Sequence, residues 1–469
     1  LVGSEMCIRD SVQILPAFDF ETVDEKNQKA QYNWGYDPDN YNVPEGSYAV
    51  SPYDGAVRIQ EMKQMVLALH SRGIGVIMDV VFNHTYRRDD SNLQKIVPGY
   101  YYRSDETGYT NGSGCGNEVA SDRPMVQKLI VDSLIYWAKE YHIDGFRFDL
   151  MGVLDIDTMN VIAERLKEIR PDIYLYGEGW NGGPSSLAEE KRAFKASAKK
   201  MPGIGMFNDD IRDTIKGSVF YDDHLGFVNG GTHLENALRY GITGAVAHPQ
   251  VDYDAYGSKP WAKEPGQSIN YVSCHDNYTL WDKLSVSCPE ASEEKKKAMN
   301  RLCAAIVFTS QGVPFIQAGE EFLRSKPLPE KKGFAENSYN MPDAVNSIKW
   351  DNIHEYPDMI AYYKGLMALR KAHPVFRMQS EAEMTQNLCF LSDTPENVVA
   401  YLLKGKGADD TPENILVIFN GNDEEILYNL PEGKWKILVD DKTAGADGKK
   451  NISEKADVEP LSALVLEKE

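Results

Sequence analysis

The chain has 469 residues, of which 42% are hydrophobic and 10% aromatic, and its formal net charge is -21. This length is enough for two or three domains, one of which can be as large as an α/β barrel. The negative charge argues against nucleic acid and anionic membranes as partners, and no run of 18 apolar residues could span a bilayer, so a neutral ligand fits better.

The first eleven residues, LVGSEMCIRDS, lack the basic start and apolar core of a signal peptide and show no periodicity. We interpret residues 1–11 as a non-native leader. From Val12 onward, VQILPAFDF is typical of a buried strand that runs into a loop. On this interpretation the native N terminus is missing, and the sequence predicts neither an extracellular nor a cytoplasmic location.

The segment YNWGYDP, residues 32–38, combines three aromatic side chains with an acid and a glycine. Asn33, Gly35 and the Asp37-Pro38 pair favour turns over strands, so we predict a loop. Loops carry much of the function of proteins, and this loop is therefore a candidate functional segment.

Short apolar segments alternate with amphipathic segments along most of the chain. Predicted strands cover residues 12–17, 75–81, 145–150, 173–177, 204–207, 269–274 and 314–318, and predicted helices cover residues 56–71, 124–141, 157–170, 185–199, 292–310 and 357–372. The alternation indicates a parallel sheet, and seven strands fit a (β/α)8 TIM-type barrel with one strand unaccounted for. A doubly wound open sheet is the alternative, but no Gly-rich phosphate loop follows the first strand.

The helical pattern ends near residue 378. Beyond it, short apolar runs occur between turn signals: NVVAYLLK, NILVIFNG, KWKILVDD and LSALVLE. Such runs predict an all-β sandwich. We therefore divide the chain into a catalytic barrel over residues 12–377, with a short insert at about residues 85–122, and a C-terminal β-sandwich domain over residues 378–469.

Four of the predicted strands end in polar clusters, which are DVVFNH (79–84), GFRFD (145–149), YGEGW (176–180) and SCHDN (273–277). The C-terminal ends of parallel strands meet on one face of a barrel, so the four clusters should share one pocket. A single Asp after a strand is commonly a helix cap, and a lone His is commonly structural. Four clusters on separate strands instead favour a catalytic site.

Three of these clusters supply carboxylates, namely Asp149, Glu178 and Asp276. A retaining glycosidase needs one carboxylate as nucleophile and another as acid/base, about 5 to 5.5 Å apart. His84 and His275 add hydrogen-bond donors for sugar hydroxyls. The pattern therefore predicts hydrolysis of an acetal.

The neighbours of two of these acids suggest different protonation states. Arg147 lies two residues before Asp149, on the same side of the strand, and would keep it ionised as a nucleophile requires. Glu178 lies between Tyr176 and Trp180, where partial desolvation would raise its pKa and keep its proton available.

A metal centre and a Ser or Cys nucleophile are the competing interpretations. The sequence contains no HxH or HExxH pair, and the cationic Arg147 disfavours a metal at the candidate ligands His84, His275, Asp79, Asp149 and Asp276. Cys274 adjoins His275, but successive strand residues face opposite sides. The six cysteines show no metal-ligand spacing and are typical of small buried hydrophobes.

The four clusters occur in the order of the four signature regions of the α-amylase superfamily, glycoside hydrolase family 13, which the chain resembles over residues 12–469. The resemblance implies that Asp149 is the nucleophile, Glu178 the general acid/base and Asp276 the third acid, which stabilises the transition state. It also implies that three further side chains contact the sugar at the cleavage site: Arg147, His84 and His275.

Within this superfamily, YNWGYDP is similar to the signature of type I pullulanases, as are FRFDLMG, HDNYTLWDKL, PFIQAGEEFLRSK and NSYNMPDAVNSIKW. The implied reaction is hydrolysis of α-1,6 branch linkages with retention, and the implied partner is an α-glucan such as pullulan, amylopectin or a limit dextrin. The segment VQILPAFDF matches the second barrel strand. The first strand and its helix would then be absent, which leaves an open sheet edge.

The resemblance also implies roles for exposed rings and one further acid. Tyr36 matches a sugar-stacking Tyr, and Asp343 in NMPDAVN resembles an acid that contacts the sugar, with a turn-forming role as the alternative. Trp180 is predicted as a second sugar platform because it follows Glu178 by two residues. The resemblance implies no required cofactor, although residues 85–116 could bind a calcium ion.

Other functions remain open at this point. An isoamylase-like or α-1,4-acting amylase would carry the same acids. An inactive, truncated glucan-binding fragment would carry them without a complete barrel.

Overall fold

The computed structural model describes residues 11–256, 259–406, 412–448 and 450–469. The predicted leader lies outside these residues except for Ser11, which begins the first strand. The chain forms two compact units. The first unit consists of Leu1–Phe207 and Tyr339–Pro342, and the second consists of Asn208–Ser338 and Asp343–Glu469. The predicted boundary at residues 377/378 separates sequence patterns rather than these compact units, and it stays a prediction.

The described part of the first unit contains nine strands and four α-helices. The strands are β1 (Ser11–Ile14), β2 (Phe18–Phe20), β3 (Pro38–Pro44), β4 (Gly75–Val80), β5 (Ser104–Asp105), β6 (Gly108–Tyr109), β7 (Gly145–Phe148), β8 (Tyr174–Gly177) and β9 (Ile204–Phe207). The helices are α1 (Gly55–His70), α2 (Asn92–Ile96), α3 (Pro124–Glu140) and α4 (Ile156–Ile169). Five strands pair in parallel in the order β1-β4-β7-β8-β9, as the alternation predicted.

The register of this parallel sheet aligns polar side chains. Asp79 of β4 pairs with Arg147 of β7, which in turn pairs with Tyr176 of β8. Because directly paired residues point to the same face, these three side chains form one row across the sheet. The DVVFNH, GFRFD and YGEGW clusters lie at the C-terminal ends of these three strands. The sheet therefore brings three of the four polar clusters to one edge.

Helix α4 shows how the sequence forms these elements. The Asp155 side chain caps it by accepting a hydrogen bond from the Thr158 amide at 2.8 Å, and the buried Met159, Ile162 and Leu166 recur at helical spacing. The prediction of a helix over residues 185–199 is wrong. That segment forms two short 3-10 turns, and between them the amides of Ala193 and Lys195 donate to the loop carbonyls of Leu154 and Gly179, which breaks the helical hydrogen-bond pattern.

The described part of the second unit contains ten strands and nine α-helices. The strands are β10 (Ser268–Asn270), β11 (Val313–Pro314), β12 (Leu388–Phe390), β13 (Val398–Lys406), β14 (Pro412–Asn420), β15 (Ile426–Asn429), β16 (Trp435–Val439), β17 (Asn451–Ile452), β18 (Lys455–Val458) and β19 (Ser462–Lys468). The helices are α5 (Asp209–Lys216), α6 (Glu235–Ile242), α7 (Tyr253–Tyr256), α8 (Leu280–Ser287), α9 (Glu293–Thr309), α10 (Asp343–Asn346), α11 (Asn352–Glu355), α12 (Pro357–Ala372) and α13 (Glu381–Asn387). Strands β10 and β11 pair in parallel.

The end of the chain is all-β, as predicted. Six antiparallel strands follow the order β12-β13-β14-β19-β16-β17, and β15 pairs with β18. One face of this sheet buries an apolar core that includes Ala400, Leu416, Ile418 and Leu466. In the described part of the chain, no helix combines the length and hydropathy needed to cross a bilayer.

Candidate active site

One buried guanidinium holds three carboxylates in the first unit. Nη1 of Arg147 donates to Asp79 Oδ1 and to Asp149 Oδ1, each at 3.0 Å, and Nη2 lies 2.7 Å from Glu178 Oε1. Burial alone would lower the pKa of Arg147, but the carboxylates of Asp79 and Glu178 hold it well above its usual value. Arg147 therefore stays charged and links the two acids predicted as nucleophile and acid/base.

The carboxylate of Asp149 is fixed through both of its oxygens. Its Oδ2 accepts a hydrogen bond from Asn83 Nδ2 at 2.8 Å, and the same amide donates to the Asp149 carbonyl at 2.9 Å. The oxygen of the Asn83 side chain lies 2.6 Å from His84 Nδ1. The predicted site residues Asp149 and His84 thus belong to one network through Asn83, which sequence analysis did not single out.

Glu178 lies just beyond β8 and is buried. Its Oε2 accepts a hydrogen bond from the amide of Leu150 at 2.9 Å. Leu150 has left-handed backbone angles, φ 39° and ψ 50°, which are strained for a residue other than glycine. This conformation turns the amide that follows Asp149 toward Glu178. The predicted increase in the pKa of Glu178 stays a prediction.

Asp79 is a site residue that sequence analysis considered only as a metal ligand. It is fully buried, and its Oδ2 accepts hydrogen bonds from the Tyr36 hydroxyl at 2.8 Å and from Gln13 Nε2 at 3.3 Å. Burial raises the pKa of Asp79 to about 7, against the lowering effect of Arg147. A charged residue inside the apolar run GVIMDVV was the available signal.

The stability of the protein should depend on pH through Asp79. Its pKa rises from the model-peptide value of 3.8 to about 7 in the folded state, so the folded state binds more protons between these values. The contribution of Asp79 to stability is therefore full below pH 3.8 and is lost as the pH rises through about 7. We expect Asp79→Asn to flatten this part of the curve, as measured by urea unfolding between about pH 5 and 8.

The exposed Asp90 provides the control for this measurement. Asp90→Asn removes an acid from the surface and should leave the pH dependence of unfolding unchanged. A curve that is as steep in Asp79→Asn as in the parent protein would show that another group titrates in this range.

The YNWGYDP loop holds the Tyr36 ring beside Asp79 and Arg147. The Tyr36 hydroxyl donates to Asp79, and the centroid of the Tyr36 ring lies 5.7 Å from Cζ of Arg147. The Trp34 ring packs edge-on against the Tyr36 ring, with 6.5 Å between the two centroids. The amide of Trp34 donates to the Tyr339 carbonyl at 2.9 Å. Residues 32–37 form a loop, as predicted, and Trp34 is buried while Tyr36 is half-buried.

Gly35 allows this loop to turn, since its φ is +94°. A Cβ atom at this position would lie 2.9 Å from Phe20 Cδ1 and 3.0 Å from the Pro16 carbonyl oxygen. We expect Gly35→Ala to destabilise the protein by about 1–3 kcal/mol and to reduce activity, because Tyr36 follows directly. Urea unfolding measures the first effect and turnover the second.

Gly55 is the matched control for Gly35, because a Cβ atom there would meet nothing within 4 Å. Gly55→Ala, at the first residue of α1, should change stability by less than about 0.5 kcal/mol. Equal stability of the Gly35→Ala and Gly55→Ala variants would contradict the requirement for glycine in the loop.

The fourth polar cluster lies in the second unit. Nε2 of His275 lies 3.2 Å from Asp276 Oδ2, and the Asp276 side chain is 45% exposed. Lys326 fixes the backbone of this loop, because its Nζ donates to the His275 carbonyl at 3.0 Å and to Ser338 Oγ at 2.9 Å. Asn277 is left-handed, with φ 59°. The acid is thus open to a ligand while its backbone is held in place.

Two further predicted sugar contacts are Trp180 and Asp343. Trp180 follows Glu178 by two residues and is half-buried, and its carbonyl accepts a hydrogen bond from the Gly152 amide at 3.1 Å. Asp343 is exposed at the start of α10, where its carbonyl accepts from the Ser347 amide at 2.8 Å. Their roles in sugar binding stay predictions.

The insert at residues 85–122 contains α2, β5 and β6. Several of its acids already have partners: Asp90 lies 3.4 Å from Arg87, Asp122 lies 2.8 Å from Arg103, and Glu118 accepts from Thr110. Among the described residues, the three groups of His, Cys, Asp and Glu close enough to share an ion all lie outside this insert. These acids offer no ready ligand set for calcium, and calcium binding here stays a prediction.

Comparison with known proteins identifies the family. Residues 385–443 match the family model described as "Pullulanase, all-beta domain". The pullulanase of Bacillus subtilis (strain 168) is 42% identical over 431 residues, which are 92% of this chain and 58% of that protein. The solved pullulanase of Paenibacillus barengoltzii, in complex with maltohexaose and α-cyclodextrin, is 43% identical with a TM-score of 0.89, over 98% of this chain and 69% of that chain. The chain belongs to the pullulanase family.

Pullulanase structures also establish the fold. The pullulanase from Bacillus acidopullulyticus matches 99% of this chain and 55% of its own with a TM-score of 0.91 at 42% identity. The predicted TIM-barrel fold with a C-terminal all-β domain is therefore confirmed, as is the resemblance. By contrast, isoamylase SU1 of Zea mays is only 26% identical over 505 residues. The chain spans about 58% of its B. subtilis pullulanase relative.

Proposed function

We propose that this chain hydrolyses α-1,6-glucosidic linkages by a retaining double displacement. One observation carries the proposal within a pullulanase-family chain: a single guanidinium, that of Arg147, contacts both Asp149 and Glu178. The substrates are pullulan, amylopectin and limit dextrins. The complex of the P. barengoltzii pullulanase with maltohexaose supports an oligosaccharide as the ligand.

In the first displacement, Asp149 attacks the anomeric carbon while Glu178 protonates the oxygen of the departing glucan. The α-1,6 bond breaks, and a covalent β-glucosyl ester forms on Asp149. In the second displacement, Glu178 takes a proton from water, which attacks the same carbon and releases Asp149. Two inversions give net retention. Asp276 binds hydroxyls of the sugar at the cleavage site and stabilises the positive charge that develops in each transition state.

Arg147 prepares Asp149 for the first displacement. A cation at 3.0 Å stabilises the carboxylate, and the Asn83 amide at its second oxygen prevents rotation. Glu178 must carry a proton when it acts as the acid, so its ion pair with Arg147 loosens at that stage. Asp79 and Asp149 then remain as the counter-ions of the guanidinium, which keeps the nucleophile in place.

His84 contributes as a neutral imidazole. It is 3% exposed, and burial lowers its pKa. The amide nitrogen of Asn83 donates to Asp149, so the amide oxygen faces His84 Nδ1, which must carry the proton. The backbone of Tyr36 also hydrogen-bonds the ring, so His84 is held on two sides. We propose that His84, held in this way, contacts a hydroxyl of the sugar at the cleavage site.

The remaining contacts complete the sugar site. Tyr36 provides a stacking platform whose ring is fixed by Asp79, Arg147 and Trp34, so it loses little entropy on binding. Three other side chains are proposed to contact the glucan: Trp180, His275 and Asp343. The reaction as proposed needs no cofactor.

The proposal is tested by comparing reducing-end release from pullulan and from linear amylose. We expect maltotriose from pullulan and no release from amylose. Cleavage of amylose with pullulan left intact would instead identify an α-1,4-acting amylase. No release from either glucan, with binding retained, would identify an inactive glucan-binding fragment.

A further inference from the structure

A histidine and two glutamates converge in the second unit, outside the four polar clusters. His373 directly follows α12, Glu413 lies on β14, and Glu467 lies on β19. Nδ1 of His373 contacts Glu413 Oε1. One ligand atom from each of the three residues lies within 4.8 Å of the others, which is close enough for all three to bind one ion.

The antiparallel sheet places both glutamates on one face. Glu467 pairs with Ile415, which is two residues after Glu413 on the same strand, so the two glutamate side chains are diagonal neighbours. This face packs against helices, as shown by Tyr401, whose hydroxyl donates to the Thr309 carbonyl at 3.1 Å. His373 approaches the glutamates from that helical side.

Two atoms of this cluster have no hydrogen-bond partner among the described residues, namely His373 Nε2 and Glu413 Oε2. His373 is 6% exposed and Glu413 is 7% exposed. Burying polar atoms without a partner is costly, and buried polar groups in native proteins are almost always satisfied. A cation bound among the three residues would supply the missing interaction of Glu413 Oε2.

A cavity of about 580 Å³ reaches one member of the cluster, because Glu413 lines it together with Pro374 and Val375, the two residues after His373. The residue opposite Glu413 on β13 is Gly405, and the Val375 side chain occupies the space where a side chain of residue 405 would lie. Through the cavity, a hydrated ion can reach the carboxylate and keep a water molecule on the cavity side.

We propose that His373, Glu413 and Glu467 bind one divalent first-row transition-metal ion of the Zn²⁺ class. One imidazole nitrogen and two carboxylates are a ligand set that suits such ions, with water in the fourth position. Calcium and magnesium prefer sites built from oxygen alone. The ion neutralises the two carboxylates and connects the end of α12 to strands β14 and β19.

The proposal is tested by zinc binding to the purified full chain, from which bound metal is first removed with a chelator. Bound Zn²⁺ is measured by equilibrium dialysis and elemental analysis, and the melting temperature is measured with and without Zn²⁺. We expect Glu413→Gln and Glu467→Gln each to bind one equivalent less than the parent protein and to lose the zinc-dependent increase in melting temperature. Glu467 is only half-buried, so its variant should fold even if Glu413→Gln does not.

Glu383→Gln is the matched control, because Glu383 lines the same cavity but lies outside the cluster. It should keep the full zinc stoichiometry and the thermal shift. Cys274, His275 and Asp276 form another group that can bind an ion, so the total amount of bound zinc is not decisive. The proposal is judged by the difference in zinc stoichiometry between each variant and the parent protein. Equal stoichiometry in all variants would overturn the proposal, as would stabilisation by Ca²⁺ but not by Zn²⁺.

Discussion

Asp149→Asn should abolish the hydrolysis of pullulan while leaving glucan binding intact. The amide cannot attack the anomeric carbon, so we expect turnover to fall by on the order of 10⁴-fold or more. The contacts proposed for Tyr36, His84 and Trp180 do not involve the lost charge, and they should still hold the glucan. Turnover is measured as maltotriose release and binding by calorimetry with maltohexaose.

Azide separates the roles of Asp149 and Glu178. A small anion can replace a missing nucleophile in one displacement, so azide should convert the Asp149→Gly reaction to β-glucosyl azide. With Glu178→Gly the covalent ester still forms on activated substrates, and azide should release α-glucosyl azide from it. Turnover that persists in Asp149→Asn, or azide products of the opposite configuration, would show that the two roles are assigned wrongly.

The main elements of the fold were predictable because their signal is local. The apolar runs of β4, β7, β8 and β9 and the apolar stripes of α3, α4 and α9 are visible within short windows of sequence. The prediction of a helix over residues 185–199 failed because two amides in its middle bond to other loops, which sequence periodicity does not register. Short hairpins such as β5 with β6 carry no apolar pattern, since both strands are exposed.

The site was predictable in its residues but not in its connections. The ends of two strands gave Asp149, Arg147 and Glu178, and Arg147 contacts both acids. The ion pair of Arg147 with Glu178 and the burial of Asp79 depend on the register between strands, which is set by tertiary packing. The cluster around His373 is out of reach for the same reason, because its members lie far apart in sequence on a helix end and two strands.

Arg147→Lys should reduce stability and turnover together. A lysine ammonium is a point charge and cannot span three carboxylates that the planar guanidinium now contacts, so at least one buried carboxylate loses its partner. Breaking a buried ion pair from one side costs roughly 3–5 kcal/mol. We also expect kcat to fall roughly 10²-fold, because Asp149 and Glu178 are no longer held at a fixed position.

A surface arginine and a second substitution make this result specific. Arg165 is 53% exposed and pairs with Glu168 at 3.1 Å, so Arg165→Lys should change stability by less than about 0.5 kcal/mol. Adding Asp79→Asn to Arg147→Lys removes one of the three carboxylates around residue 147, the fully buried one, and the double variant should therefore regain part of the lost stability without regaining turnover. Additive losses in the double variant would mean that Asp79 and Arg147 are not energetically coupled, despite the 3.0 Å contact between them.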